Sequence, residues 1–189
     1  MNKAVIILIP LVILGVLIIG AFGIYNGLVS AQEEAKTAWA QVENQYQRRA
    51  DLIPNLVETV KGFAAQEKTV LEEVTRLRSQ WGEARQSGDI GKSFQAAQGL
   101  DSALSRLMVV VERYPELKSN QNFMKLQDQL EGTENRVSVE RRRYNEAVLS
   151  YNRKIRTFPG ALLAGIFGFE RLPLFEAEAG AKKAPQVKF

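Results

Sequence analysis

Residues 4–24 read AVIILIPLVILGVLIIGAFGI, and no charged side chain occurs between Lys3 and Glu33. A helix rises about 1.5 Å per residue, so this run would extend over about 30 Å, the thickness of the hydrocarbon core of a bilayer. Tyr25 and Asn26 follow it, where aromatic and polar side chains usually meet the membrane surface. The stretch therefore predicts a transmembrane anchor, which we assign to residues 1–26.

A cleaved signal peptide is the alternative interpretation of this stretch, because Val29-Ser30-Ala31 resembles a small-residue cleavage site. The apolar core of a signal peptide is roughly 7–15 residues long, which is shorter than the run found here. We therefore expect the anchor to be retained. Within it, Gly23 and Gly27 have the GxxxG spacing that lets two transmembrane helices approach closely, although glycine is common in any such helix.

After the anchor, apolar residues recur every three or four positions, which is the period of an amphipathic helix. One stripe runs from Trp39 to Trp81, a second from Ile90 to Tyr114 and a third from Phe123 to Tyr151. The sequence thus predicts an all-α fold. The transmembrane helix is followed by an up-and-down bundle of long helices over residues 27–157 and by an irregular apolar tail over residues 158–189.

Pro54 leaves two versions of the bundle open, because an interior proline either kinks a helix or ends it. If the chain reverses near Pro54, at about Ala50-Asp51, four helices of comparable length can pack in alternating directions. If Pro54 only kinks the helix, the bundle has three helices and the first of them is long. The comparable lengths favour the four-helix version.

Two charged residues, Arg49 and Glu140, occupy positions in the stripes where apolar side chains are expected. Burial of both would require them to pair, since an unpaired buried charge is costly. The alternative is that both point to the edge of the bundle and extend their charged ends into water. We predict an ion pair between Arg49 and Glu140 in the core.

The tail begins with an apolar segment, ALLAGIFGF at residues 161–169, which is too short to span a bilayer. It could cover the bundle. In an up-down-up-down bundle, however, the last helix returns to the membrane, so the tail is also predicted to dock on the membrane surface or on a partner. The candidate docking residues are Arg153, Lys154, Arg156, Leu162, Leu163, Ile166, Phe167, Phe169 and the terminal Phe189.

Composition removes several classes of function. The chain has no Cys and no His, which excludes thiolate and imidazole metal sites and the usual Ser–His and Cys–His nucleophile pairs. The net charge of +4 is small and dispersed, and no nucleic-acid-binding motif accompanies it. Paired carboxylates lie in helices rich in Lys and Arg. We therefore expect no catalytic residues, no metal, no cofactor, no small-molecule substrate and no nucleic-acid partner.

Several segments resemble the LemA family. They are QRRADLIPNLVETVKG at 47–62, YPELK at 114–118, LEGTENR at 130–136, YNEAV at 144–148 and FGF at 167–169. The resemblance covers roughly residues 25–189. It implies a bacterial single-pass membrane protein with a helical bundle and without an established enzymatic activity. Some members of the family are associated with magnetosome membranes, and others occur in contexts of envelope protein quality control.

These observations lead to an expected function. We expect a non-enzymatic scaffold or assembly protein of the bacterial envelope, which associates with the lipid bilayer and with further copies of itself. The alternative is an adaptor that binds a membrane protease or transporter through its tail. Its expected location is the cytoplasmic (inner) membrane, with the bundle on the cytoplasmic side.

Overall fold

The computed structural model describes residues 3–175, and side chains from residue 8 onward. Within these residues it contains no strand, which confirms the predicted all-α fold. The helices are α1 (Lys3–Lys61), α2 (Lys68–Gln86), α3 (Ile90–Val111), α4 (Pro115–Lys118), α5 (Gln121–Lys154) and α6 (Gly160–Phe167). The chain forms two compact units: an anchor unit of Met1–Ala38 with Arg143–Phe189, and a bundle unit of Trp39–Arg142.

Helix α1 carries the predicted anchor. Among the described residues, it is the one helix that is long and apolar enough to cross a membrane. Its large apolar side chains between Leu8 and Phe22 are exposed on all sides, Ile19 by 74%. A helix that is apolar all round and has no protein around it is typical of a segment surrounded by lipid.

The bundle unit contains four long helices, as in the favoured version, and the short α4, but the predicted reversal near Pro54 is wrong. Helix α1 continues through Pro54 to Lys61, and the chain reverses at residues 62–67. Pro54 has no amide hydrogen and leaves the carbonyl of Ala50, four residues earlier, without its helical donor. The Nε of Arg78 on α2 donates to that carbonyl at 3.0 Å. Because a side chain replaces the missing donor, the proline is tolerated inside the helix.

We therefore expect Arg78→Met to lower the free energy of unfolding by about 1–3 kcal/mol, because the buried Ala50 carbonyl loses its donor. In a Pro54→Ala background the amide of residue 54 supplies the donor, so the same substitution should cost clearly less. Urea unfolding of the full-length protein in detergent measures both values, with the fluorescence of the buried Trp39 and Trp81 as the signal.

Arg76→Met is the matched control, since Arg76 is exposed on the same helix and should change stability by less than about 0.5 kcal/mol. Equal losses from Arg78→Met with and without the proline would show that the side chain stabilises the bundle in some other way.

Contacts between helices establish their alternating directions. Arg85 on α2 donates to Gln47 on α1 at 2.9 Å, so these two helices run antiparallel from the turn at 62–67. Arg106 on α3 pairs with Glu73 on α2 at 2.8 Å, which makes this pair antiparallel as well. The core between the helices contains Trp39, Val42, Tyr46, Ile53, Leu56, Val60, Leu71, Val74, Trp81, Ala97, Leu100, Leu104, Leu107, Val111, Phe123, Leu130 and Val137.

Side-chain caps fix where α3 and α5 begin. Asp89 accepts a hydrogen bond from the amide of Lys92 at 3.1 Å, at the N-terminus of α3. Asn120 accepts from the amides of Asn122 and Phe123 at 2.9 and 3.1 Å, at the N-terminus of α5. Such caps satisfy amides that have no partner inside the helix.

The anchor unit has a small core of its own, made of Leu28, Ala31, Tyr151, Ile155 and Ala164. Ala164 belongs to α6, so the tail, predicted to be irregular, contains a helix. Leu28 and Ala31 are each 2% exposed. Signal-peptide cleavage after Ala31 would remove both from this core, which favours a retained anchor.

Candidate functional site

Arg49 lies at the centre of a polar network inside the bundle unit and is only 7% exposed. Its Nη1 donates to the Oδ1 of Asp101 on α3 at 2.5 Å, and its Nη2 pairs with Glu134 on α5. Three helices are therefore joined through one guanidinium. Charge-assisted hydrogen bonds of this kind are the strongest that side chains make.

Asp101 is the acceptor that most members of the network share. Its Oδ2 receives a hydrogen bond from the hydroxyl of Tyr46 at 2.7 Å and pairs with the guanidinium of Arg141 on α5. The Cζ of Arg141 lies 5.4 Å from the centroid of the Tyr46 ring, close enough for a cation–π contact. Two guanidinium groups are thus balanced by the carboxylates of Asp101 and Glu134.

The prediction that Arg49 pairs with Glu140 is wrong about the acidic partner. Asp101 and Glu134 are the carboxylates that pair with Arg49, and Glu140 is partly buried elsewhere on α5. The register of α5 explains the difference, because Arg141 contacts Tyr46 and α5 runs antiparallel to α1. Glu140 therefore lies closer to the level of Tyr46, whereas Glu134 lies within reach of Arg49.

The network joins α1, α3 and α5 inside the bundle unit. Its positive and negative side chains are paired with each other. Tyr46 packs against Trp81 with ring centroids 5.1 Å apart. In the part of the chain that the structure describes, no group of three or more acidic side chains could hold a metal ion.

A second polar site, which we call the tail clamp, holds residues 170–175 against α5 in the anchor unit. The Nδ2 of Asn145 donates to the carbonyl of Phe175 at 2.9 Å, and its Oδ1 accepts from the amide of Phe175 at 2.9 Å. Asn152 makes the same pair of bonds with the carbonyl and amide of Leu172, at 2.9 and 3.1 Å. Each asparagine side chain thus recognises one residue of an extended main chain.

Two tyrosines complete the tail clamp. The hydroxyl of Tyr144 donates to the carbonyl of Pro173 at 2.9 Å, and that of Tyr151 donates to the carbonyl of Glu170 at 2.8 Å. Burial raises the pKa of Tyr144 to about 12, and burial is also the main cause of the raised pKa of Tyr151. Both hydroxyls therefore stay protonated, and remain donors, throughout the physiological pH range.

Sequence reasoning missed the tail clamp although the sequence carries a signal for it. The dipeptide Tyr-Asn occurs at 144–145 and again at 151–152, seven residues apart. Residues seven apart lie on the same face of a helix, two turns from each other. An asparagine side chain has both a donor and an acceptor, as a peptide group has, so a repeated pair can follow a main chain.

The predicted docking residues divide into two groups. Leu163 and Phe169 pack against the core of the anchor unit. Three others on α6 are exposed: Leu162 by 61%, Ile166 by 73% and Phe167 by 57%. Arg153, Lys154 and Arg156, at and just beyond the end of α5, are also exposed. Phe189 lies outside the described residues.

Helix α6 lies beside α1. The ring of Phe167 is 4.8 Å from that of Tyr25, measured between centroids, and the ring of Phe169 is 5.8 Å away. A groove of about 350 Å³ separates the two helices and is lined by Ile18, Ala21, Phe22, Tyr25, Leu163, Ile166 and Phe167. Gly23 and Gly27 face open space in the single chain, since a Cβ at either position would meet no atom within 4 Å.

The chain is similar to known bacterial proteins. The sequence model of the LemA family matches residues 38–189. Magnetosome protein MamQ 2 of Paramagnetospirillum magneticum is 30% identical over 175 residues, which cover 80% of this chain and 64% of that protein. MamQ of Magnetospirillum gryphiswaldense is 29% identical over 180 residues, 82% of this chain and 66% of that protein. Protein LemA of Metamycoplasma hominis is 24% identical over 169 residues, 86% of this chain and 75% of that protein. The chain therefore spans less than two thirds of the length of its magnetosome relatives.

Proposed function

Because this chain belongs to the LemA family, we propose that it is a non-enzymatic, single-pass membrane scaffold that associates with further copies of itself. The observation that carries the proposal is the continuity of α1. One helix contains both the exposed apolar stretch from Leu8 to Phe22 and, after Trp39, the first helix of the bundle. No irregular linker separates the two, as expected of a protein that presents a folded bundle at a membrane.

The use of the polar side chains supports a role in assembly rather than in catalysis. The charged groups inside the bundle unit are engaged with one another, and the side chains of the tail clamp are engaged with the main chain of residues 170–175. Catalytic groups need instead to face a cleft in which a substrate can reach them. The similar proteins are named as magnetosome proteins or as protein LemA, and these names do not refer to an enzymatic reaction.

Self-association is proposed to occur through the face of α1 that carries Gly23 and Gly27. A Cβ at either glycine would meet no atom within 4 Å, so a second helix can approach the backbone there. The bundle would lie on the cytoplasmic side of the inner membrane, because exposed Arg153, Lys154 and Arg156 belong to the same unit as the anchor and positive charge favours that side.

The adaptor hypothesis has less support. A tail that serves as a ligand for a protease or transporter must be available, whereas residues 170–175 are bound to α5 through six hydrogen bonds to the side chains of the tail clamp.

The proposal predicts that the purified full-length protein is a homogeneous oligomer in mild detergent. Light scattering coupled to gel filtration gives its mass, and Gly23→Ile with Gly27→Ile should reduce that mass to the mass of a monomer.

Since the natural chain has no cysteine, disulfide cross-linking in membranes reports on single introduced positions. Ile19→Cys, one helical turn from Gly23, should cross-link, and Leu14→Cys, on the opposite side of the helix from Gly23, should not.

A monomeric natural protein in both detergent and nanodiscs would reject the scaffold. Copurification of a different membrane protein in equal amount would favour the adaptor.

A further inference from the structure

Helix α6 lies alongside α1. It runs from the level of Leu28 towards the exposed apolar stretch of α1 between Leu8 and Phe22. At its beginning, a Cβ on Gly160 would lie 3.5 Å from the side chain of Leu28. At its end, Phe167 contacts Tyr25, and Ile166 and Phe167 line the same groove as Ile18. From Leu28 to Ile18 the axis of α1 advances by about 15 Å. The tip of α6 therefore lies beside Ile18 to Tyr25 of α1, a stretch without a charged side chain.

The chain turns back immediately after α6. Gly168 has φ +70° and ψ 32°, a left-handed conformation that glycine adopts without strain. The following residues run antiparallel to α5, because Glu170 contacts Tyr151 and Phe175 contacts Asn145. Helix α6 and residues 168–175 thus form a hairpin whose tip is at Phe167 and Gly168.

Helix α6 and Phe158, two residues before it, present an apolar surface that is unsuited to water. Phe158, Leu162, Ile166 and Phe167 are between 57% and 81% exposed, although they lie within ten residues of one another. Large exposed apolar surfaces of this kind usually mark a contact with a membrane or a partner. No charged residue occurs from Thr157 to Phe169, whereas charged residues stand directly on both sides of that segment.

Amides at both ends of α6 have acceptors within the chain, which lowers the cost of entry into hydrocarbon, where an amide without an acceptor is very costly. The amides of Ala161 and Leu162, at the start of α6, donate to Thr157 and Pro159 at 2.9 and 3.2 Å. The amide of Phe169, beyond its end, donates to Ala164 at 3.0 Å.

From these observations we propose that helix α6 and the turn after it form a re-entrant hairpin, which inserts into the bundle-side leaflet next to α1 and places the basic end of α5 against anionic lipid headgroups. The occupant of the groove between α1 and α6 is then a lipid acyl chain. Its headgroup lies towards Arg153, Lys154 and Arg156, which are next to the start of α6. The inference does not depend on self-association, because a monomer can insert the same hairpin.

The insertion can be measured on the full-length protein in nanodiscs, with an environment-sensitive dye on single cysteines. Ile166→Cys is the test position and Leu14→Cys, which is exposed on the side of α1 opposite Gly23, is the reference within the membrane. Val109→Cys is the matched control, because Val109 is apolar and 67% exposed but lies on α3 in the bundle unit. We expect lipids with a nitroxide on the acyl chain to quench the dye at Ile166 as strongly as at Leu14, and to leave Val109 unquenched.

If the dye at Ile166 is quenched by aqueous iodide as strongly as the dye at Val109, the hairpin is not inserted. Circular dichroism of each labelled variant shows whether the fold is retained, and the labelled positions are exposed, so the dye does not disturb a core.

The preference for anionic lipid is tested separately, with spin-labelled lipids whose mobility reports contact with the protein. We expect phosphatidylglycerol to be bound about fivefold more strongly than phosphatidylcholine, or more. Arg153→Gln, Lys154→Gln and Arg156→Gln together should abolish the difference. The control removes the same charge from exposed positions of the bundle unit, as Arg76→Gln, Lys125→Gln and Arg142→Gln, and should preserve it. Equal loss in both triple variants would reject a localised lipid contact.

Discussion

Replacing Asp101 with alanine should lower the free energy of unfolding by about 3–5 kcal/mol, the largest effect that we expect from any single substitution in the bundle unit. Asp101 accepts from Tyr46, Arg49 and Arg141, and its removal takes away the carboxylate that both guanidinium groups share, while Glu134 pairs with Arg49 alone. An uncompensated buried charge is costly because the protein interior solvates it poorly. Urea unfolding of the full-length protein, followed by tryptophan fluorescence, measures the change.

Asp128→Ala is the control for this substitution, since Asp128 is exposed on α5 and its removal should change stability by less than about 0.5 kcal/mol. Replacing Arg49 with methionine in the Asp101→Ala background should recover part of the loss, because it removes one of the stranded charges. Additive effects of the two substitutions would mean that Arg49 and Asp101 do not interact. Between Arg49 and Glu140, by contrast, we expect a coupling energy close to zero.

The double substitution Asn145→Ala and Asn152→Ala should release residues 170–175 from α5. It removes four hydrogen bonds to the main chain, and each substitution should cost about 1–3 kcal/mol. The release should be local, because the core of the anchor unit is otherwise unchanged. Hydrogen exchange at the amides of Leu172 and Phe175 should therefore become faster by a factor of about 30 or more, as about 1.4 kcal/mol corresponds to a factor of ten.

Trypsin offers a second measurement of the same release, since Arg171 is exposed and the peptide bond after it can be cut once the segment detaches from α5. Asn135→Ala is the matched control, because Asn135 is exposed on the same helix. Unchanged exchange and cleavage in the double variant would show that packing of Phe175 against Tyr144 holds the tail without the asparagines. Asn145→Asp and Asn152→Asp would test the donors alone, because a carboxylate can accept from an amide but cannot donate to a carbonyl.

The helices of the fold could be predicted from sequence because each long helix buries one face, and that face is visible as a period of three to four residues. The position of the first reversal could not be predicted from the sequence. Pro54 is the strongest local signal for a break, yet the residue that offsets its missing donor is Arg78, on another helix. The apolar period also continues through the turn at 62–67, where Phe63 is 39% exposed and the neighbouring Ala64 is buried instead.

Of the polar network, sequence reasoning could identify Arg49 because a charged residue in an apolar stripe must be either buried or at an edge. It could not identify the partners. Periodicity indicates which face of a helix is buried, but the height of one helix relative to the next depends on packing and on the length of the turns between them. Asp101 lies beside the buried Leu100 rather than in the stripe itself, so its position gave no indication of its role.

The tail clamp binds main-chain atoms, and this has a consequence for how the protein can diverge. Glu170, Arg171 and Pro173 are exposed, whereas their backbone path is fixed by side chains of α5. Mutations at these three positions can therefore accumulate without loss of the fold, as long as the two Tyr-Asn pairs persist. Related chains can therefore carry different side chains at these positions of residues 170–175. Selection can change the chemical groups on this surface while the fold that positions them is inherited unchanged.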